Sequence, residues 1–362
     1  MQYLKKKPET AVLLLLLGLV VLAIINAEHA FGDGLLVILK SGFKSPRNMG
    51  TVLANAAPLI MTGLSVGFAF KTGLFNIGAA GQYTLGAFGA LYCAIVLQWP
   101  WYLCLLAAML FGAIWGALPG IFKAYLNINE VITAIMFNWI GLYMVNDIMY
   151  GKGKSPMYDL ASTKTYSLRK AAPQAMIPSL GMSELFGKLQ SVTIAIFIAI
   201  FFAIIVYIIL NKTAFGYELR ACGFNKNAAR YAGINEKRNI ILAMMISGAL
   251  AGVGAGLYYL STVAEWNPQV STALPAMGFN GISTALLACS NPIGTIFSSL
   301  FISYITVGGT KLSTQYYTKE IADVITALII YLCAFSLLFK NKIRALLVGK
   351  AKRVSVGKGG DD

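Results

Sequence analysis

The sequence predicts an all-α, polytopic membrane protein with about ten transmembrane helices. Of its 362 residues, 57% are apolar and only 12% are charged, and its mean hydropathy is +0.70. Soluble domains carry about 25% charged residues. The apolar residues form long runs, and the basic residues that give the net charge of +15 cluster between these runs. Loops on the cytoplasmic side of a membrane explain that charge better than a nucleic-acid-binding surface does.

Nine of the predicted spans are continuous apolar runs. They are residues 11–25, 52–70, 83–97, 102–122, 131–150, 192–210, 240–260, 293–307 and 321–339. A tenth comes from the stretch 277–294, which mixes glycine and asparagine with apolar residues and breaks at Asn291-Pro292. The first run follows three lysines, as in a signal peptide, but no small-residue cleavage motif follows it. We therefore interpret it as a transmembrane helix.

The basic residues predict which segments face the cytoplasm. Lysines precede the first span and seven basic residues follow position 339, so residues 1–9 and the basic tail 341–362 are expected inside, with a membrane domain over 10–340. The longest polar loop, 151–190, has six basic and two acidic residues. Its charge favours the cytoplasm, but the number of spans on either side of it places it outside. We follow the number of spans and predict an extracellular loop.

A short capped helix is predicted in the basic loop 211–237. Asn225 is a good N-cap, because its side-chain oxygen can accept from free backbone N–H groups of the first turn. Gly233 suits the helix stop, because glycine adopts the left-handed conformation at little cost. The helix between them spans about two turns, and the pair Ala228-Ala229 would let a partner approach closely. The alternatives are a docking element and an ordinary positively charged loop; the caps favour docking.

Neutral amides beside apolar spans are the candidates for a transport pathway. The stretch KTGLFNIGAAGQ, 71–82, is too rich in glycine for an uninterrupted helix. It is either irregular backbone at membrane depth, where protein or a water-filled cavity satisfies its polar groups, or a short cytoplasmic turn. A buried amide in mid-span needs a neighbouring helix or the pathway as its partner. The candidate residues are Phe75, Asn76, Gln82, Asn138, Phe279 and Asn280. The stretches around Phe75 and Phe279 lie in opposite halves of the chain, as expected of two repeats that meet at a central pathway.

The sequence offers no means of driving transport by itself. No G-x-x-x-x-G-K-[ST] motif is present, so this chain is not expected to bind or hydrolyse ATP. An ion-coupled secondary transporter needs ionisable groups within the membrane, and the candidates, Asp147 and Asp323, lie near span ends. A membrane enzyme would need a catalytic constellation, and we find none. One histidine and five cysteines without a CxxC pair indicate neither a metal site nor a disulfide framework.

Three segments in the right order resemble the permeases of bacterial ABC importers. GYELRACGFNKNAARYAGI (216–234) is similar to their cytoplasmic coupling segment, in the group that handles ribose-type sugars, branched-chain amino acids and nucleosides. GLFNIGAAGQ (73–82) and NEVITAIMFNWI (129–140) narrow the resemblance to nucleosides and simple sugars. The resemblance covers about residues 50–340.

The resemblance implies an all-helical permease subunit in a bacterial plasma membrane. Its implied partners are a second permease, ABC ATPase subunits that hold ATP and Mg, and an extracellular substrate-binding lipoprotein, with no cofactor on this chain. Nucleosides are the expected substrate, with a simple sugar such as ribose as the alternative. Ala80 departs from the family pattern, since relatives often carry an acid there. The implied coupling residues are Glu218, Arg220, Gly223, Asn225, Ala228, Ala229, Gly233 and Ile234.

Overall fold

The computed structural model describes residues 42–150, 155–159, 161–267 and 273–312, with the single residues 40 and 327. The first predicted span, both termini and, except for residue 327, the last predicted span lie outside the described residues. The helices are α1 (Pro46–Lys71), α2 (Ala79–Ile95), α3 (Trp101–Leu126), α4 (Glu130–Tyr150), α5 (Leu168–Ala171), α6 (Met182–Leu185), α7 (Ala195–Lys212), α8 (Ala214–Phe224), α9 (Lys226–Tyr231), α10 (Glu236–Leu260), α11 (Ala276–Leu287) and α12 (Pro292–Leu312). Two-residue strands β1 (Tyr158–Asp159) and β2 (Lys164–Thr165) form an antiparallel hairpin, and Pro173–Ala175 is a 3-10 turn.

The helices confirm an all-α membrane protein. Within the described residues, six helices are long and apolar enough to cross a membrane: α1, α3, α4, α7, α10 and α12. They coincide with six of the predicted apolar runs. α2 is shorter, at 17 residues.

The stretch 277–294, the tenth predicted span, forms only a short helix. α11 has 12 residues, about 18 Å of helix, whereas a bilayer core is about 30 Å thick. The predicted break is confirmed. Cys289 and Ser290 adopt positive φ angles of 51° and 53°, and the Asn291 side chain caps α12 by accepting from the amides of Ile293 and Gly294. The count of ten membrane-spanning helices is therefore not confirmed.

α10 lies at the centre of the bundle and packs against α1, α2 and α3. Its glycines allow the closest approach. Gly248 and Gly252 face Gly112 and Gly116 of α3, and a Cβ added to Gly116 would lie 2.9 Å from the Cα of Gly248. The prediction that the small residues of 247–256 pack helices together is confirmed.

The two long polar segments lie at opposite ends of α10. The loop 151–190 lies at its C-terminal end, where the amide of Thr165 donates to the carbonyl of Trp266 (3.0 Å) and the amide of Ile177 donates to the carbonyl of Leu260 (3.1 Å). At its N-terminal end, Asn239 donates a hydrogen bond to Glu218 of α8 (3.3 Å). We call these the hairpin end and the α9 end.

Candidate functional site

α9 has the two caps that the sequence predicts. The Asn225 side-chain oxygen accepts from the amides of Asn227 (3.0 Å) and Ala228 (3.1 Å). After the helix, Gly233 has a φ of +80°. Its amide donates to the carbonyl of Arg230, and the amide of Ile234 donates to the carbonyl of Ala229, each at 3.0 Å. This pair of hydrogen bonds is the pattern of a Schellman motif. The predicted start and stop are therefore confirmed.

Two exposed aromatic residues that the sequence reasoning missed bracket α9. Phe224, the last residue of α8, is 98% exposed, and Tyr231, the last residue of α9, is 95% exposed. Ala228 is exposed between them. Ala229 is only 4% exposed, so the prediction that both alanines are open to a partner is wrong for Ala229, which packs inside this chain. The sequence could have revealed these two aromatic residues, because large apolar residues are unusual in a polar, charged loop.

The remaining coupling candidates support α9 from within the chain. Glu218 accepts from Asn239, which is 2% exposed on α10. Arg220 donates from Nε to the carbonyl of Gly216 (3.4 Å), and Ile234 is half-buried. Of these, the Glu218–Asn239 hydrogen bond joins α8 to α10, and the Arg220 bond lies within α8.

Gly223 provides a direct contact between α8 and the glycine-rich segment after α1. A Cβ on Gly223 would lie 2.6 Å from the carbonyl carbon of Thr72 and 2.7 Å from the nitrogen of Gly73, and a Cβ on Gly73 would lie 2.5 Å from the Cα of Gly223. Gly73 also has a φ of +75°. The two backbones therefore touch without intervening side chains.

Asn76 and Gln82 belong to a buried hydrogen-bond network with Ser65 and Ser247, which we call the polar centre. Asn76 Nδ2 donates to Gln82 Oε1 (2.8 Å) and to Ser247 Oγ (2.6 Å). Gln82 Nε2 donates back to Asn76 Oδ1 (3.2 Å), and Ser247 Oγ donates to the carbonyl of Ser65 (2.7 Å). All four residues are at most 1% exposed. The serines were missed because small residues of α1 and α10 look like packing residues in the sequence.

The segment 72–78 reaches the middle of α10, a helix long and apolar enough to cross a membrane. Ser247, the partner of Asn76, lies about 16 Å along α10 from its first residue at 1.5 Å per residue. Protein groups satisfy the irregular backbone there, as a bilayer requires. Asn138 of α4 accepts from the amide of Gly81 (2.7 Å) and donates to the carbonyl of Ile77 (3.1 Å). Of the two alternatives for this segment, the geometry favours irregular backbone at depth over a short cytoplasmic turn.

The three other pathway candidates are more accessible than the amides of the polar centre. Phe75 and Phe279 are each 39% exposed, and Asn280 is half-buried. Phe75 stacks on Phe70, with ring centroids 4.9 Å apart. The structure thus separates an accessible set, Phe75, Phe279 and Asn280, from a buried set of amides that hold helices together.

The two glycine-rich stretches meet at Ala80. A Cβ on Gly278, at the start of α11, would lie 2.5 Å from the Cα of Ala80. Ala80 is fully buried, so an acidic side chain here would displace the start of α11. The close contact gives a physical reason for alanine at this position.

The accessible surface suits a neutral ligand. It offers aromatic faces and an amide, and within the part of the chain that the structure describes no group of three His, Cys, Asp or Glu could hold a metal ion.

The α9 end, in contrast, carries basic residues. Lys237 Nζ lies 5.1 Å from the centroid of the Tyr125 ring, and Lys123 pairs with Glu130 at 2.9 Å.

Comparison with known proteins identifies the family. Residues 48–334 match the model of the branched-chain amino acid transport system permease component. The chain belongs to this permease family. It is 33% identical to the nucleoside ABC transporter permease protein NupB of Lactococcus lactis over 95% of this chain and 94% of that protein. It is also 33% identical to the guanosine ABC transporter permease protein NupP of Bacillus subtilis, over 84% of each chain. This permease is also 28% identical to the glucose ABC transporter permease protein TsgB13 of Haloferax volcanii, over 92% of this permease and 87% of TsgB13.

Proposed function

We propose that this permease forms the pathway for nucleosides in an ABC importer of a bacterial plasma membrane. The observation that carries the proposal is the similarity, over almost the full length, to relatives named for nucleosides and guanosine. A simple sugar is the second candidate, because a relative named for glucose also matches most of the chain.

The accessible pathway residues fit a nucleoside. Phe75 and Phe279 offer flat apolar faces to a base, and Asn280 offers an amide to ribose hydroxyls or base edges. A nucleoside carries no charge, so no fixed charge is needed. The buried amides Asn76 and Asn138 then act behind this surface, by fixing the segment that carries Phe75.

The α9 end is the proposed docking surface for an ABC ATPase. Its basic residues favour the cytoplasmic side, which puts the hairpin end and the loop 151–190 outside. Exposed aromatic residues are frequent anchors of protein interfaces, and Phe224 and Tyr231 flank the capped helix. The ATPase supplies ATP and Mg, and this chain supplies neither catalytic residues nor a cofactor site. A second permease and an extracellular binding lipoprotein complete the proposed assembly, and no nucleic acid takes part.

A movement of α9 can reach the pathway through few contacts. α8 continues directly into α9 at Asn225, and Gly223 of α8 touches the backbone at Gly73. Three residues further along lies Asn76 of the polar centre, next to Phe75. We propose this order of contacts as the route by which the ATPase state changes the pathway.

Uptake into proteoliposomes tests the substrate. The permease is assembled with its partner permease and ATPase subunits, with binding lipoprotein outside and ATP inside. Labelled guanosine should accumulate and be displaced by other nucleosides but not by ribose or glucose. Accumulation of a sugar alone would select the second candidate, and nucleoside uptake driven by an ion gradient without ATP would refute an ABC importer.

Alanine substitution tests the docking surface. Phe224→Ala and Tyr231→Ala should each reduce copurification of the ATPase, because interface hot spots contribute about 2 kcal/mol or more. Tyr102→Ala is the matched control, since Tyr102 is 57% exposed but lies at the start of α3, at the hairpin end. Full ATPase recovery with both the Phe224 and the Tyr231 variant would contradict this docking surface.

A further inference from the structure

A cavity of about 990 Å³ lies at the hairpin end. Its walls come from residues 164–169, which are β2 and the residues after it, and from the end of α10 with residues 262–265 and 267. Leu91 of α2 also lines it, so the cavity extends from the loops into the helix bundle. Binding sites for small molecules usually occupy about 300–1,000 Å³, so this cavity is large enough for a ligand of nucleoside size.

The lining combines aromatic rings with hydrogen-bonding groups. Tyr166, Tyr258 and Tyr259 line the cavity together with Arg169, Thr262 and Glu265. Tyr166 is 42% exposed and Arg169 is exposed, so the cavity is reachable from solvent. Such a lining offers a stacking face for a flat ring and both donors and acceptors for hydroxyls.

The walls are held in place by hydrogen bonds between the two segments. Thr165 and Trp266 exchange two bonds, from the Thr165 amide to the Trp266 carbonyl (3.0 Å) and from the Trp266 amide to Thr165 Oγ1 (3.2 Å). Arg169 Nη2 donates to Thr262 Oγ1 (3.4 Å). Thr262 has a φ of +54°, which is a strained conformation for a β-branched residue. Strain of this kind collects at ligand sites.

Aromatic rings connect the cavity with the polar centre. Tyr258 and Tyr259 contact each other edge to face, with centroids 5.2 Å apart. Tyr259 contacts Tyr83 of α2 (6.3 Å), and Tyr83 adjoins Gln82. In the described part of the chain the Tyr83 hydroxyl is buried without a hydrogen-bond partner.

We infer that this cavity is the outer receiving site for the transported nucleoside, an inference that rests on the proposed function. The base stacks on Tyr166 or Tyr258. The two neighbouring ribose hydroxyls donate to the Glu265 carboxylate, and Arg169 and Thr262 contribute further hydrogen bonds. A simple sugar lacks the flat base, so the tyrosines discriminate in favour of nucleosides.

Photolabelling of the assembled importer tests the site. An azido-guanosine probe should label peptides from 164–169 or 258–267, and excess guanosine should prevent the labelling. Tyr166→Ala and Glu265→Gln should each lower labelling, and uptake at a fixed low guanosine concentration, by about tenfold, as expected for loss of one stacking or charged contact. Glu184→Gln, an exposed acid on α6 outside the lining, is the matched control and should behave as wild type.

The outcomes separate the two proposals. If guanosine is transported but the label maps elsewhere, or if both variants label and transport as wild type, the receiving site is refuted and the proposed function stands. If the importer transports a sugar and no nucleoside, the proposed function itself fails and this inference fails with it.

Discussion

Replacing Gly223 by alanine should separate ATP hydrolysis from nucleoside transport. Gly223 is the point at which α8 touches the backbone of Thr72 and Gly73, and it lies beside the aromatic residue Phe224 at the α9 end. The added methyl group does not enter the exposed face of α9. The ATPase should therefore still bind, while the movement that it produces should reach segment 72–78 imperfectly.

The size of the effect follows from the contact distances. The new Cβ would lie 2.6 Å from the Thr72 carbonyl carbon, whereas carbon atoms pack best at about 3.5–4.0 Å. α8 must shift by roughly 1 Å, since backbone on the other side cannot move aside as a side chain can. Overpacking of this kind costs about 1–3 kcal/mol. If that energy is lost from the coupling between the proposed ATPase docking surface and the pathway, this coupling falls about 5- to 150-fold.

The assay measures ATP hydrolysis and labelled guanosine uptake in the same proteoliposomes. Gly223→Ala should retain hydrolysis and ATPase copurification and lose most uptake. Gly67→Ala is the matched control, because a Cβ on Gly67 would lie at an ordinary 3.6 Å from its nearest atom, Ser290 Cα. Wild-type uptake per ATP hydrolysed in Gly223→Ala would refute the transmission route.

Three further predictions concern the cap, the pathway and the topology. Asn225→Ala should destabilise α9 by about 1 kcal/mol through loss of its N-cap, seen as a lower ATPase affinity in a titration; unchanged affinity would mean that the cap does not order the docked helix. Asn76→Ala should lower thermal stability and uptake together, because it leaves buried partners such as Ser247 unsatisfied at a cost of about 1–3 kcal/mol, whereas Asn280→Ala should lower uptake more than stability; equal losses in both variants would make Asn280 a structural residue. A cysteine in place of exposed Ser162, in a background without native cysteines, should react with an impermeant thiol reagent on intact cells; reaction only after lysis would place the loop 151–190 inside.

Local features of this permease could be predicted from the sequence because a few neighbouring residues determine them. The α9 caps at Asn225 and Gly233 and the break at Asn291-Pro292 depend on the conformational preferences of single residues. Long apolar runs likewise identify the six described spans, because a helix must satisfy its own backbone in lipid.

Features that depend on tertiary contacts could not be predicted in this way. Nothing in the pair Ala228-Ala229 reveals which alanine is buried within the chain and which faces solvent. The apolar content of 277–294 indicates membrane depth but not that its helix stops after 12 residues. In the sequence, neutral amides such as Asn76 and Gln82 suit a ligand and a neighbouring helix equally well. The contacts of the folded chain show that these two amides bind each other and that Asn76 also binds the buried Ser247.

The segment 72–78 is the place where the proposed docking and transport roles meet. Its first glycine contacts α8, its asparagine anchors the polar centre, and Phe75 lies between them on the accessible surface. A rigid helix here would move as a unit, whereas irregular backbone can change the position of one side chain when one contact moves. Asn138 satisfies the backbone carbonyl of Ile77 in this irregular segment, as a bilayer requires, and Ser247 and Gln82 hold the side chain of Asn76. The same hydrogen bonds that stabilise the segment therefore also hold Phe75 on the surface that we propose as the pathway.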